Sequence, residues 1–459
     1  MRKASELGRF RMVSALMSFA MTVPAARAGV NVWTTNGPGN LETRRVVADA
    51  RVPGALYVGT ASGVAKSTDG GRSWSQTALL SGEPLAASEG VVYASIATAA
   101  EPPVPGGFTN VVYKSPDGGA HWQALFSTST STSAIWIDPV IPSTLYRADT
   151  SAVVPPQHQL HPLGFFRSDD GGVSWTRIDS GLGSNPITAF AVDPGSGALY
   201  LATFGLFDPP GIFKSADRGS TWTLLSTGIS ASVIVIDPNS PSTVYAAGSG
   251  VFVSTDGGES FRALNGPGGY VGALIIDRQS SARLYAATTT GPPGVFGSGD
   301  GGTNWWPMSQ GLDSPVPYVG DLAMDAAGDV LYASLLQDVW HFELDPGSLV
   351  LDAAHPFTVA LSAIDQRTGR HGAGLASKVN DLWGYFSIPA ITGNPDNPEV
   401  FVKMLDGTSL NGTYWFFYGG LTDLEYTLTV TEDATGKQKT YTKPAGSECG
   451  GSDTAAFAP

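Results

Sequence analysis

One eight-residue pattern, Ser-x-Asp-x-Gly-x-x-Trp, occurs six times between residues 67 and 305, with phenylalanine replacing tryptophan in the fifth copy. Its aspartates recur every 39 to 53 residues, at Asp69, Asp117, Asp170, Asp217, Asp256 and Asp300. Its tryptophans are Trp74, Trp122, Trp175, Trp222 and Trp305. A period of this length fits four short strands, the size of one β-propeller blade, rather than a helical repeat. The repeat therefore restricts the chain to a repeating all-β architecture.

The sequence of each repeat divides into four short apolar segments. In residues 187–225 they read ITAFAVDP, ALYLAT, GIFKS and TWTLL, and such runs bounded by turn residues indicate strands. With 57 glycines, 32 prolines and only 14 % charged residues, the composition also favours short strands and turns. The second segment carries a Leu-Tyr or Val-Tyr pair in every unit, at Tyr57, Tyr93, Tyr146, Tyr200, Tyr245, Tyr285 and Tyr332. We therefore expect a seven-bladed β-propeller over residues 29–346.

The seventh unit lacks both the repeated pattern and a fourth strand after Phe342. Residues 32–37, VWTTNG, resemble the fourth strand and exit loop of the other units. An open ring would leave two unpaired sheet edges. We therefore expect the N-terminal strand to complete the last blade.

The repeated aspartate is expected to hold a turn rather than to perform chemistry. The pattern falls between the third and fourth strands, where an aspartate can accept backbone N–H groups and glycines can adopt positive φ. The tryptophan would pack as an apolar plug between neighbouring hairpins. Catalysis rarely needs six identical copies around a ring, so we expect all six aspartates to be structural.

With these motifs, residues 30–345 resemble the BNR-repeat or Asp-box propeller family, and we name the pattern the Asp box. The family includes sialidases, xyloglucanases, the luminal domain of sortilin and photosystem II assembly-factor propellers. The resemblance implies the fold but not the function, because one scaffold carries both hydrolases and binding proteins.

Sialidases resemble one another in an Arg-Ile-Pro motif and an arginine triad, and this sequence contains no Arg-Ile-Pro. Arg44 and Arg45 stand near that place, at the start of the first inner strand, and are candidate ligand-binding residues. No triad can be traced from them. Sialidase activity is therefore not expected.

A glycosidase needs two carboxylates roughly 5 to 10 Å apart. Asp321 is the one acidic residue found at the start of an inner strand, where other units have small residues such as Ser133, Ser232 and Gly272. Asp321 is thus a catalytic candidate without a partner, and the alternative is a solvated aspartate at a strand end.

Long loops between the second and third strands of blades two, three and four should form one wall on the face opposite the Asp boxes. The candidate ligand-binding residues of this wall are Phe108, His158, His161, Phe204, Phe207 and Asp208. Aromatic planes with a few polar groups suit a glycan or an extended peptide, whereas variable loops packed on themselves remain the alternative. The two histidines lie three apart in a proline-rich loop, and we expect neither a metal site nor a cofactor.

The first 28 residues have the pattern of a Sec-type signal peptide. Basic residues precede an apolar run over residues 12–23, and Ala26-Arg27-Ala28 supplies a cleavage site after Ala28. About 12 apolar residues are too few for a membrane span, which needs roughly 20. We therefore expect export to the periplasm, the cell surface or the medium.

The charge and cysteine content limit the partners and the covalent structure. The net charge of −14 disfavours nucleic acid and anionic lipid. Cys449 is the only cysteine, so no intrachain disulfide can form.

Beyond residue 346 the repeat stops, and at least six strand-like segments follow, which predicts a small Ig-like β-sandwich over residues 347–459. Its phrases VKMLDG and NGTYWFFYGG are similar to a C-terminal module of exported bacterial proteins. Trp415, Phe416, Phe417 and Tyr418 could form a glycan-binding strip, but two of the four should face the core because strand residues alternate sides.

These observations favour an exported, monomeric, non-catalytic binding or surface-interaction protein that holds a glycan or peptide on its channel-mouth face. The alternative is a glycoside hydrolase of extracellular glycans. An assembly factor for a membrane complex shares the fold, but no basic patch indicates an anionic partner.

Overall fold

The computed structural model describes residues 33–459 apart from 36, 39–40, 80–81, 100–107, 129–130, 151–161, 292, 309–311, 313–318, 336–337, 345–346, 353–354, 381, 394–396, 448–449 and 459. The predicted signal peptide lies outside these residues. The described chain is all-β apart from two single-turn helices, so the predicted fold class is confirmed at this level. None of the described helices has the length and hydropathy needed to cross a membrane.

Within the described residues, strands of positions 34–343 form seven four-stranded antiparallel sheets, which we number in chain order. Sheet seven includes the most N-terminal strand, β1 (Thr34–Thr35). Sheet one contains β2 (Leu41–Ala48), β3 (Leu56–Thr60), β4 (Gly63–Ser67) and β5 (Ser75–Gln76). Sheet two contains β6 (Glu83–Ser88), β7 (Val91–Ala99), β8 (Phe108–Ser115) and β9 (Gln123–Thr128). Sheet three contains β10 (Ser131–Ile137), β11 (Leu145–Thr150), β12 (Pro162–Ser168) and β13 (Thr176–Arg177).

The remaining four-stranded sheets repeat this order. Sheet four contains β14 (Ile187–Val192), β15 (Leu199–Thr203), β16 (Gly211–Ser215) and β17 (Thr223–Thr227). Sheet five contains β18 (Ala231–Ile236), β19 (Val244–Gly248), β20 (Val251–Ser254) and β21 (Arg262–Leu264). Sheet six contains β22 (Val271–Ile276), β23 (Leu284–Thr288), β24 (Gly294–Ser298) and β25 (Trp306–Pro307). Sheet seven joins β26 (Val319–Met324), β27 (Val330–Leu335) and β28 (Asp338–Glu343) to β1.

Each sheet packs on the next one through a shared hydrophobic cluster. Sheet seven packs in the same way on sheet one, where Tyr332 and Val339 meet Leu56 and Val58. The apolar side chains of the second strands fill these clusters, since β3, β15, β19 and β23 are buried along their whole length. The seven sheets are therefore neighbours in a closed series, which is the arrangement of a β-propeller.

β1 pairs antiparallel with β28, placing Thr34 opposite His341. The preceding Trp33 is buried, donates its indole N–H to the carbonyl of Met308 at 2.5 Å and packs 5.2 Å from the ring of Phe342. A two-residue strand offers few ladder hydrogen bonds. The indole therefore provides a large share of the attachment of the N-terminal segment to sheet seven.

The Asp boxes occupy the turns between the third and fourth strands. In the first, Oδ1 of Asp69 accepts hydrogen bonds from the Ser67 hydroxyl and from the Ser73 backbone N–H, both at 2.9 Å. The Ser67 hydroxyl accepts the N–H of Gly71, whose φ of +80° suits a residue without Cβ. The same serine–aspartate bond recurs in the other five boxes at 2.6 to 3.0 Å.

The recurring tyrosine of the second strand links neighbouring sheets. In sheets two, four and five its hydroxyl donates to the carbonyl of an Asp-box glycine in the following sheet, for example from Tyr200 to Gly257 at 2.9 Å and from Tyr245 to Gly301 at 3.2 Å. The hydroxyl of Tyr285 instead donates to Asp277 in its own sheet, at 3.4 Å. Lys214 donates to the same Gly257 carbonyl at 2.8 Å. In these three sheets the tyrosine hydroxyl makes a bond that phenylalanine could not make.

Residues after 347 form two five-stranded sheets within the described part of the chain. The first sheet contains β29 (Ser348–Leu351), β30 (Phe357–Asp365), β31 (Arg370–Ala373), β36 (Glu425–Glu432) and β37 (Gln438–Lys443). The second contains β32 (Leu375–Lys378), β33 (Trp383–Ser387), β34 (Val400–Gly407), β35 (Thr413–Gly420) and β38 (Gly451–Phe457). The helices are α1 (Pro389–Thr392) and α2 (Thr408–Asn411).

One hydrophobic core fills the space between these two sheets. Phe416 is fully buried in it and Tyr418 packs against it, whereas Trp415 and Phe417 face the other side of β35. The second sheet also contacts the propeller part, because the Tyr385 hydroxyl donates to the carbonyl of Gly299 in the Asp box of sheet six at 3.3 Å.

Candidate functional site

Three charged residues lie on the first strands of neighbouring sheets, and Arg45 and Glu83 both act electrostatically on Asp321. The Asp boxes share a face with the turns between first and second strands, as the Gly70–Gly54 backbone hydrogen bond of 3.0 Å shows. The first strands therefore begin at the opposite face. Arg45 of β2 lies there between Asp321 of β26 and Glu83, the first residue of β6. We name these three residues the channel-mouth cluster.

The strand register places the two carboxylates at equivalent positions of their sheets. Asp321 pairs with Ser334 and Glu83 pairs with Ser95, and each serine lies two residues beyond the recurrent tyrosine. Sheet one stands between these two sheets and contributes Arg45. From sheet seven to sheet two, the cluster therefore places a carboxyl group, a guanidinium group and a second carboxyl group on successive sheets.

Asp321 is anchored in sheet one as well as in its own strand. Its carboxylate accepts the N–H of Leu322 at 2.9 Å and the backbone N–H of Val46. Part of the side chain remains exposed, but the surrounding sheets remove it from bulk water.

The environment of Asp321 makes its carboxyl group a weaker acid than an ordinary aspartate. Desolvation by burial raises the pKa of Asp321 to about 6, Glu83 adds to the rise, and Arg45 and the two N–H groups oppose it. Such a carboxyl can hold or release a proton near neutral pH, which is the property required of a general acid.

The structure corrects two details of the sequence interpretation. Ser133, Ser232 and Gly272 lie at a bulge of the first strand, and Gly320, not Asp321, occupies that place in sheet seven. Asp321 is also not the only acidic residue at the start of a first strand, because Glu83 is a second one. Counting back from Tyr93 to its cross-strand partners would have found Glu83.

The loop joining β15 to β16 is held by one buried side chain, Asn185. The Oδ1 atom of Asn185 accepts the backbone N–H groups of Leu206, Phe207 and Asp208 at 2.9 to 3.1 Å. Its Nδ2 atom donates to the carbonyl of Asp208 at 2.7 Å. Residues 204–209 thus have a fixed conformation although they lie on the surface, and we name them the clasped loop.

The clasped loop displays apolar side chains to solvent. Phe204, Leu206 and Phe207 are 43 %, 44 % and 44 % exposed, and the side chain of Asp208 is exposed beside them. Exposed apolar groups on a preorganised loop are a common feature of binding surfaces. Sequence reasoning selected Phe204, Phe207 and Asp208, but it missed Leu206 and the buried Asn185 that positions them.

Of the other predicted wall residues, the structure describes only the backbone of one, Phe108. The backbone of Phe108 begins β8 opposite Ala99, while His158 and His161 lie outside the described residues, as do the side chains of Phe108 and Arg44. Among the described residues, no group of three His, Cys, Asp or Glu side chains could hold a metal ion.

The Asp-box carboxyls of Asp69 and Asp217 have pKa values shifted in the opposite direction to that of Asp321. Hydrogen bonds from Ser73 hold the pKa of Asp69 at about 2, and bonds from Thr221 hold the pKa of Asp217 at about 2. A group that stays ionised over the whole physiological range does not exchange protons with a substrate near neutral pH.

No protein-family model matches the sequence, and no curated protein matches it. Among solved structures, the chain is similar to YCF48 from Cyanidioschyzon merolae, with 14 % identity over 68 % of this chain and 99 % of that one and a TM-score of 0.46. YCF48 bound to D1 peptide matches at 13 % identity, covering 68 % and 97 % of the two chains, with a TM-score of 0.47. The GH74 enzyme of Niastella koreensis matches at 15 % identity, covering 87 % and 74 % of the two chains, with a TM-score of 0.34. At identities this low the likeness concerns the fold and assigns no activity.

Proposed function

We propose that the chain is an exported, monomeric binding protein that holds an extended glycan or peptide on its channel-mouth face. In this proposal, residues 29–346 form a seven-bladed propeller of the Asp-box family, and residues 347–459 form a C-terminal β-sandwich. The shared cluster between every pair of neighbouring sheets supports the ring. The six Asp-box aspartates act as turn supports, since each accepts bonds from its own turn.

The clasped loop is the observation that carries the binding proposal. Ordering a loop on binding costs free energy, and the Asn185 bonds have already met that cost in the free protein. Phe204, Leu206 and Phe207 can therefore make apolar contacts without reorganisation. Stacking on the two aromatic rings suits sugar faces or the side chains of an extended peptide.

The test is capture of ligands from glycan and peptide arrays by the mature protein, residues 29–459. We expect Phe207→Ala to weaken capture directly and Asn185→Ala to weaken it by releasing the loop. Val173→Ala is the control, because Val173 is 74 % exposed but lies in an Asp-box turn on the opposite face. Equal capture by the Phe207 variant and the Val173 variant would reject this surface as the binding site.

The channel-mouth cluster favours a second candidate function, a glycoside hydrolase. Asp321, with its pKa of about 6, has the protonation behaviour of a general acid, and Glu83 supplies a second carboxylate at the equivalent position. Release of reducing ends from plant, microbial and sialylated glycans tests this candidate. Loss of that activity in both Asp321→Asn and Glu83→Gln, with retention in Glu259→Gln, an exposed Asp-box residue on the opposite face, would establish hydrolysis. An absence of release from all glycans would leave binding as the function.

A further inference from the structure

The second sheet of the C-terminal region carries an aromatic cleft on the face that points away from the core. The cleft has a volume of about 540 Å³ and is lined by Trp383, Phe401, Lys403, Phe417 and Ser452, among others. This volume lies within the range of sites that hold small molecules. Pairing across β33, β34, β35 and β38 sets Trp383, Lys403, Phe417 and Ser452 in one row.

The propeller part covers only a neighbouring portion of this face. Tyr385, which makes the contact with Gly299, lies next to the cleft, with its ring 5.9 Å from that of Phe401. Phe401 in turn lies 6.3 Å from the Trp383 ring on the open side. Beyond Tyr385 the aromatic side chains are partly exposed rather than packed.

Three side chains of the cleft carry hydrogen-bond donors that have no acceptor within the described part of the chain. Lys403 is exposed and is the only charged residue among the described lining residues. Within the described part of the chain, its ammonium group forms neither an ion pair nor a hydrogen bond, and the indole N–H of Trp383 and the hydroxyl of Ser452 have no partner either. Three hydrogen-bond donors beside apolar ring faces favour a ligand that combines flat C–H surfaces with an anionic oxygen group.

A carbohydrate fits this cleft better than a peptide. The cleft lies on the face of a sheet, and a peptide that paired with the free edge of β38 would extend the sheet beside the cleft rather than fill it. A buried peptide would therefore leave backbone N–H and C=O groups unpaired, at a considerable cost. A sugar ring instead places C–H groups on the negative faces of aromatic rings and leaves its hydroxyls in water.

We propose that this cleft is a binding site for an acidic sugar, whose ring stacks on Phe417 and Phe401 and whose carboxylate pairs with Lys403. The site is separate from the channel mouth. It needs no participation of the clasped loop or of Asp321.

Calorimetric titration of the mature protein with trigalacturonate and with trimannuronate, at physiological ionic strength, tests the proposal. The methyl ester of each oligosaccharide is the matched neutral ligand, because it keeps the rings and removes the charge. We expect the methyl ester to bind about tenfold more weakly, since a charge-assisted hydrogen bond is lost. Lys403→Gln should abolish the difference between acid and ester, and Phe417→Ala should weaken both.

Lys437→Gln is the control for the removal of one positive charge, because Lys437 lies in the same region but its ammonium group is near Glu432, at 4.0 Å. The proposal is overturned if neither oligosaccharide binds, if acid and ester bind equally, or if Lys403→Gln behaves like Lys437→Gln. Displacement of the sugar by an equimolar amount of hexaglutamate would also overturn it, because the cleft would then recognise charge alone. Should Phe417→Ala fail to fold, the Lys403 variant and the ester comparison still decide the outcome.

Discussion

The buried aspartate at the end of β2 links two neighbouring sheets and offers a sharp test of the ring. The Oδ1 atom of Asp49 accepts the N–H groups of Arg51 and Val52, at 2.9 and 3.0 Å, within its own turn. It also accepts the N–H of Glu89 at 3.0 Å, while Oδ2 accepts that of Gly90 at 2.8 Å. Four backbone donors, two of them from sheet two, thus depend on one carboxylate.

Asp49→Asn keeps the shape but replaces one acceptor with a donor. If the amide oxygen faces the three N–H groups, its nitrogen faces the N–H of Gly90, and the reverse orientation loses three bonds. One partly buried donor, the N–H of Gly90, is left unsatisfied and the other bonds lose their charge assistance. We therefore expect the free energy of unfolding to fall by about 3 kcal/mol.

Asp138, at the end of β10, provides the matched control. Its Oδ1 atom accepts the N–H groups of Val140 and Ile141, both at 2.9 Å and both within its own turn. Asp138→Asn can keep both bonds through the amide oxygen. Its expected cost is about 1 kcal/mol, because only charge assistance is lost.

Denaturant unfolding of the full chain at pH 7, followed by tryptophan fluorescence, measures both variants. The two substitutions have the same chemistry and similar burial, so their difference isolates the bonds between sheets one and two. Equal losses for both variants, or a neutral Asp49→Asn, would refute the reasoning.

Three further outcomes follow from the structure. Trp33→Ala should lower the free energy of unfolding by about 3 kcal/mol, because it leaves a cavity and an unattached β1. Trp415→Ala, on an exposed face, should lower it by less. Similar losses for the two variants would contradict the role of Trp33. Because the folded pKa of Asp321 is about 6 and thus above its unfolded value, ionisation disfavours the folded state as pH rises from about 4 to 6. Asp321→Asn should therefore gain about 2 kcal/mol of stability relative to the parent at pH 7.5 and almost nothing at pH 4, and a gain that does not grow with pH would contradict the burial argument. Gly299→Ala would place a Cβ 2.1 Å from the carbonyl oxygen of Lys378, so limited proteolysis between the two regions should accelerate, and an unchanged rate would contradict this contact.

Most of the fold could be predicted from short sequence patterns, because the contacts that define each repeat join residues close in the chain. The Asp-box turn, the recurrent tyrosine and the alternation of β35 depend on residues close in the chain, so a short sequence pattern can indicate each of them. The all-β interpretation followed from the same signals. The C-terminal strand order was not accessible in this way, since β30 pairs with β36 across the intervening strands.

The site was less predictable because it depends on contacts between units. Glu83 became a partner of Asp321 only through the register of β6 and the order of sheets around the ring. Asn185 holds the clasped loop from more than 20 residues away, and no short-range pattern marks such a side chain. The three donors of the aromatic cleft likewise come from three strands that meet only in the folded sheet.

The pairing of β1 with β28 also sets when the series of sheets can close during synthesis of the chain. Thr34 and His341, whose side chains are hydrogen-bonded at 2.9 Å, are 307 positions apart in the chain. A ribosome adds these residues over about 15 to 60 seconds. Throughout that interval sheet one lacks the neighbour that covers Leu56 and Val58, and β1 has no strand to join. The last sheet to be synthesised therefore decides when the whole ring becomes resistant to proteases, and a chain that stops before β28 would keep both of its exposed ends.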